Sequence, residues 1–210
     1  MVNPAAVEQF LLPLVAVMMT LEIHWANAAP VTLCYLSIYK NPQDHYVNAF
    51  KAVRNKYEDL RLDEVEPWSN CSEVDLRGPK KHLSKLTKWE KLEAVEMEVN
   101  LAISVLQNQK PNMSKDVLEV LGFLMPFKDN LMACIQRKPS DHKESGHLQE
   151  FKEQFQKFNT SNAEQSPKCL EAAVGLNMVR LLQEDIRQIS HHNYLHHHHH
   201  HHHRRRHHSN

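Results

Sequence analysis

Glycine is scarce in this chain, four residues in 210, so glycine-rich phosphate cradles and runs of tight hairpins are excluded. No HExxH or nucleophile-elbow sequence occurs, and no two cysteines stand in a CxxC pair. Net charge is also absent. Lysine plus arginine number 25 and aspartate plus glutamate 25, so no global basic field points to a nucleic-acid partner. Beyond the first 28 residues no apolar run is long enough to cross a bilayer, and no membrane insertion is expected. The lone histidines of the folded part, His45, His82, His142 and His147, fall in positions that read as exposed or loop. Glu96 and Glu98 fall on different helix faces and read as solvated charges. The sequence reads as neither an enzyme nor a cofactor protein.

What is present starts with an apolar amino terminus. Phe10 to Leu21 is too short for a comfortable membrane span, and Ala26-Asn27-Ala28 has the small-x-small form of a cleavage site. Residues 1–28 therefore read as a secretory signal, and the product as secreted and extracellular. An oxidising compartment turns the four cysteines, Cys34, Cys71, Cys134 and Cys169, into two expected disulfides, for which the sequence leaves three pairings open. Three N-glycosylation sequons fit that compartment: Asn70-Cys71-Ser72, Asn112-Met113-Ser114 and Asn159-Thr160-Ser161.

Leu, Glu, Lys, Gln and Met dominate the interior of the chain and favour helices. The spacing predicts a succession of helices, with no confident strand pair. The first opens at Asn41-Pro42, buries Tyr46, Ala49, Phe50, Val53, Tyr57 and Leu60, and carries Val47, Lys51, Arg54 and Glu58 on a second stripe. A loop from about Asp63 to Pro79 holds Trp68, which reads equally as a lid on the core edge or a partner contact. Lys88 to Gln109 is apolar on two sides, as in a helix packed between neighbours. The next runs from a Ser114 cap to about Gln136, with Pro126 expected to kink or interrupt it. Leu148, Phe151, Phe155 and Phe158 mark a short helix, and Asn159 to Ser166 a connector. Finally, Ser166-Pro167 starts a helix reaching Ile189. Its core face is Leu170, Val174, Met178, Leu181, Leu182, Ile186 and Ile189. Leu176 falls among the polar residues opposite, with Val179 at that side's edge. The whole reads as an all-α bundle of about six helices over residues 29–190.

Residues 191–210 are of another composition, a His/Arg-rich tail with a run of eight histidines at 196–203. Such a run has the form of an affinity tag, yet Arg204-Arg205-Arg206 and more residues follow it. The tail reads as a natural disordered extension. It is either a tolerated low-complexity segment or a binder of metal ions through residues such as His196, His197 and His198, or of polyanions at acid pH.

Several motifs in order resemble the type III interferons (interferon lambda), among the class II helical cytokines. They are Cys169-Leu170-Glu171-Ala172-Ala173-Val174 running on through Asn177 to Arg180-Leu181-Leu182, Ala133-Cys134-Ile135-Gln136, Ala49-Phe50-Lys51 with Arg54, and Trp68-Ser69-Asn70-Cys71-Ser72. Together they cover most of residues 34–189. The resemblance implies a bundle cross-linked Cys34–Cys134 and Cys71–Cys169. Each bridge would close a loop of close to 100 residues, an entropic gain of about 4–5 kcal/mol. It also implies an antiviral cytokine bridging an interferon lambda receptor specific chain and the shared interleukin-10 receptor beta chain, to drive JAK-STAT signalling. The specific chain would meet Val47, Arg54, Trp68, Leu176 and Val179. Leu176 and Val179 stand where the family commonly has phenylalanine. Two other readings remain beside this one: a different class II cytokine of the interleukin-10 or -22 kind, and a secreted histidine-rich metal-binding protein.

Overall fold

Four helix starts in this chain are closed by side-chain caps. In the computed structural model, which describes residues 34–66, 68–71, 83–109 and 113–191, Thr87, Ser114, Ser145 and Ser166 each accept a hydrogen bond from a first-turn amide. Each such cap satisfies a donor that the helix itself cannot, worth about 1 kcal/mol. The helices that result are α1 (Asp44–Leu62), α2 (Lys88–Gln107), α3 (Lys115–Ile135), α4 (Gly146–Gln165) and α5 (Pro167–Arg180). The last continues through a π segment, Leu181–Ile186, into the short α6 (Arg187–Ser190). Short 3-10 turns cover Leu36–Tyr39, Trp68–Asn70 and Leu83–Lys85. The described residues contain no strand, and the architecture is the expected all-α bundle with two disulfides.

Two apolar clusters hold it. The larger joins Phe50, Val53 and Tyr57 of α1 to Val95 and Val99 of α2, Leu124 and Phe127 of α3, and Val174 and Met178 of α5. A smaller one, Leu83, Leu86, Ala94, Leu148, Phe151 and Phe155, seats α4 on α2. The two-sided character of α2 thus has its cause: Val95 and Val99 face one cluster while Ala94 faces the other. Glu90 fastens the junction. Its carboxylate, fully buried, accepts from the amide of Thr87 at 2.8 Å in a capping box and from the amide of Ser145 at 2.6 Å. Burial pushes that carboxyl up, but the Thr87 and Ser145 donors outweigh it and hold Glu90 below the usual carboxylate range.

Disulfides join Cys34 to Cys134 and Cys71 to Cys169, with sequence separations of 100 and 98. This is the pairing the resemblance implied. The first ties the residues before α1 to the end of α3. The second ties the Trp68–Asn70 turn to the start of α5.

Four expectations need correction. Residues 159–166 are no connector, because α4 runs on through Gln165. Asn162 is fully buried there, its Nδ2 donating to the Phe158 carbonyl at 2.8 Å. Pro126 does not divide α3. The carbonyl that loses its donor belongs to Gly122, an exposed position open to solvent. Glu98 is not a solvated charge: it is 7 % exposed and lies 3.6 Å from the Arg180 guanidinium of α5. α1 starts at Asp44, after Pro42, with Gln43 at its cap position.

Candidate functional site

The site expected from the sequence involves α1, the turn after it, and α5, and these elements are neighbours. α1 and α5 run antiparallel. Tyr57, near the end of α1, reaches Glu171 near the start of α5, while the Leu36–Tyr39 turn before α1 lies against α6 at the far end of the rod. Their approach is close because residue 175 has no side chain: a Cβ on Gly175 would lie within 2.8 Å of three ring carbons of Tyr57.

On α1, Val47 is half-buried and packs against the margin of the main cluster. Arg54 is about two-fifths exposed, with its guanidinium 3.4 Å from Glu58 and donating to Asn55 Oδ1 at 2.7 Å. On α5, Leu176 is also half-buried and packs on the cluster margin. It differs in that respect from the fully outward residue expected. Val179 is half-buried and lies outside both clusters. Trp68 lies on the core edge, as the first of its two readings has it. Its ring packs on the cluster while remaining part-exposed, and the Lys168 ammonium stands 5.2 Å above its centroid.

Two further features had no signal in the sequence. The first lies at the end of α1, where the helix closes in a Schellman motif. The amide of Val65 donates to the Leu60 carbonyl at 3.1 Å and that of Glu64 to Arg61 at 3.3 Å, with Glu64 at φ 53°. This motif aims the chain toward Trp68. The second is the polar line beneath the seam. The Tyr57 hydroxyl donates to Glu171 Oε1 at 2.6 Å, and Gln109 Nε2 donates to that hydroxyl at 2.7 Å. Burial first, and the Glu171 carboxylate after it, hold the Tyr57 phenol well above the usual tyrosine range. It stays a donor at every physiological pH.

Of the remaining candidates, Asn70 belongs to the Trp68–Asn70 turn itself. Asn70 is exposed, its Nδ2 donating to Glu66 at 3.3 Å and its carbonyl accepting from Gln165 at 2.7 Å. Asn159 is half-buried within α4. Asn112, residues 1–28 and the tail with His196, His197 and His198 lie outside the described residues. Among the described residues no group of His, Cys, Asp or Glu is arranged to hold a metal ion, and no helix is long and apolar enough to cross a membrane. His45 and His147 are exposed, whereas His142 is half-buried; His82 lies outside.

Comparison with known proteins decides the class. Residues 32–192, well over half of the chain, match the interleukin-28A family. The chain belongs to that family of type III interferons. Interferon lambda-3 of Gallus gallus is 25 % identical over 159 residues, covering 75 % of this chain and 82 % of that protein. Interferon lambda-1 of Homo sapiens is 29 % identical over 189 residues, covering 84 % and 90 % respectively. The helical bundle, the two cross-links and the family agree, and the protein is a cytokine of the type III interferon kind.

Proposed function

We propose that this type III interferon is a secreted antiviral ligand, whose specific receptor chain docks on the α1–α5 seam and the Trp68 turn. Signalling would follow when the same molecule also engages the shared interleukin-10 receptor beta chain and so activates a JAK-STAT pathway. Cleavage after residue 28 would release the helical domain that begins at residue 29. The observation that carries the reading is the seam itself. Val47, Arg54, Leu176, Val179 and Trp68 come from segments up to about 130 residues apart in sequence, yet their elements adjoin. Small apolar side chains half-covered by the fold, rimmed by polar groups, are the composition of an interface core.

A second receptor chain needs a second surface. Leu118 and Met125, seven residues apart on α3 and 56 % and 47 % exposed, form an uncovered apolar stripe suited to it. The test is binding of the mature chain to each isolated receptor chain. Leu176→Asp is expected to weaken binding to the specific chain more than tenfold, on the order of 2 kcal/mol. The shared chain's affinity should stay unchanged. Because Leu176 also touches the core margin, Val179→Asp and a melting curve accompany it. Unchanged specific-chain binding in both folded variants refutes the assignment. Loss with a receptor chain of the interleukin-10 or -22 kind instead would move the protein to another class II branch. Removing residues 191–210 should leave both affinities intact, whereas a metal-carrier role would reside in that tail.

A further inference from the structure

Lys168 stands where a cation is least welcome. It is the second residue of α5, directly after Pro167, and its own amide is already taken by Ser166 Oγ at 3.2 Å. The first turn of a helix presents unpaired amide dipoles that disfavour positive charge. The ammonium is nevertheless pinned. Nζ donates to Glu171 Oε2 at 2.6 Å and sits over the Trp68 indole.

Glu171 cannot swing away, since its other oxygen accepts from Tyr57, whose hydroxyl in turn accepts from Gln109. Tyr57 is fully buried. An unbroken polar line therefore runs from Gln109, just past α2, through the phenol of α1, to the carboxylate and ammonium of α5. It ends on the face of the one aromatic side chain in the candidate site. The indole N–H of Trp68 is buried and finds no acceptor among the described residues. Among the described residues, no hydrogen bond of its own fixes the ring.

We propose that Lys168 is a positioning residue: clamped by Glu171 and Tyr57, it holds the Trp68 indole in the pose a receptor chain meets. A cation over an indole face is the most favourable arrangement of its kind, and fixing a rotamer-rich contact before encounter lowers the ordering cost of binding. The inference rests on the reading of Trp68 as a receptor contact.

The test joins a spectroscopic and a binding measurement on the mature, oxidised chain. In protein carrying 5-fluorotryptophan, the fluorine resonance of Trp68, assigned with Trp68→Phe, should shift and broaden in Lys168→Met and stay in place in Lys168→Arg. Lys168→Met keeps the length of the side chain without the charge, and a melting curve verifies that the variant is folded at the temperature of the binding assay. Binding to the specific receptor chain should weaken about fivefold to tenfold in Lys168→Met and less than twofold in Lys168→Arg. In a Trp68→Ala background Lys168→Met should add nothing. If Trp68→Ala alone leaves binding unchanged, the receptor reading of Trp68 fails and takes this proposal with it. If Trp68→Ala weakens binding while Lys168→Met moves neither resonance nor affinity, the clamp fails and the receptor reading stands. If Lys168→Met costs as much in the Trp68→Ala background as in the parent chain, Lys168 touches the receptor directly and has no positioning role.

Discussion

Gly175→Ala sets two effects of opposite sign against each other. Inside a helix, alanine is favoured over glycine by about 1 kcal/mol. At this position, however, the added methyl would lie within 2.8 Å of three carbons of the Tyr57 ring, where ordinary contacts begin near 3.5 Å. The ring has no exposed edge to move toward, and its hydroxyl is held by Glu171 and Gln109. Overpacking of this kind costs typically 1–3 kcal/mol, and a tethered ring places it at about 3. The balance is a loss of about 2 kcal/mol. For a domain of this size each kcal/mol moves the melting temperature by about 2–4 °C, so the variant should melt roughly 4–8 °C lower. Near-ultraviolet circular dichroism of the oxidised chain provides the melting curve. The cause is checked with Tyr57→Leu, which makes room at the seam: there Gly175→Ala should cost at least about 1 kcal/mol less. A higher melting temperature in Gly175→Ala, or the same cost in both backgrounds, would refute the close-approach argument.

Glu64 sits at φ 53° in the Schellman turn, a conformation that costs an L-residue about 1–2 kcal/mol and glycine almost nothing. Glu64→Gly is expected to raise the melting temperature by about 2–4 °C; a drop would mean that the carboxylate has a role the turn does not reveal. Glu90 governs the acid limb. Its carboxyl is held below the usual range in the fold, so the unfolded chain takes up the proton more readily. The stabilisation is complete above the unfolded value, about 4.3, and is lost as pH falls through the lower folded value. Glu90→Gln should flatten the decline in melting temperature below about pH 4.3, and a decline parallel to the parent's would exclude Glu90 as its source.

Local chemistry was readable where one residue type acts on its own neighbours. Ser166-Pro167 and Ser114 cap the helices they were expected to cap, and the 3.6-residue spacing of Phe50, Val53 and Tyr57 marks the buried face of α1. The cross-link pairing and the site residues came from family resemblance, since spacing alone leaves three pairings. What stayed illegible depends on distant partners. Asn159-Thr160-Ser161-Asn162 has the composition of a loop, yet it is helix because Asn162 finds both burial and a carbonyl. Glu98 has a charge that implies water, until Arg180 arrives from 82 positions further along. Tyr57 and Glu171 are 114 apart, and the widening of the coil at Leu181–Ile186 has no local signature.

Two cations at the seam have acids beside them: Arg54 with Glu58 and Lys168 with Glu171. Their fields cancel within a few ångströms, so little long-range attraction is left to guide a partner in from solution. If a receptor docks on this face as proposed, its encounter would depend chiefly on ordinary diffusion and fit of shape and should vary little with ionic strength. Selectivity would be expressed in how long the complex lasts rather than in how fast it forms.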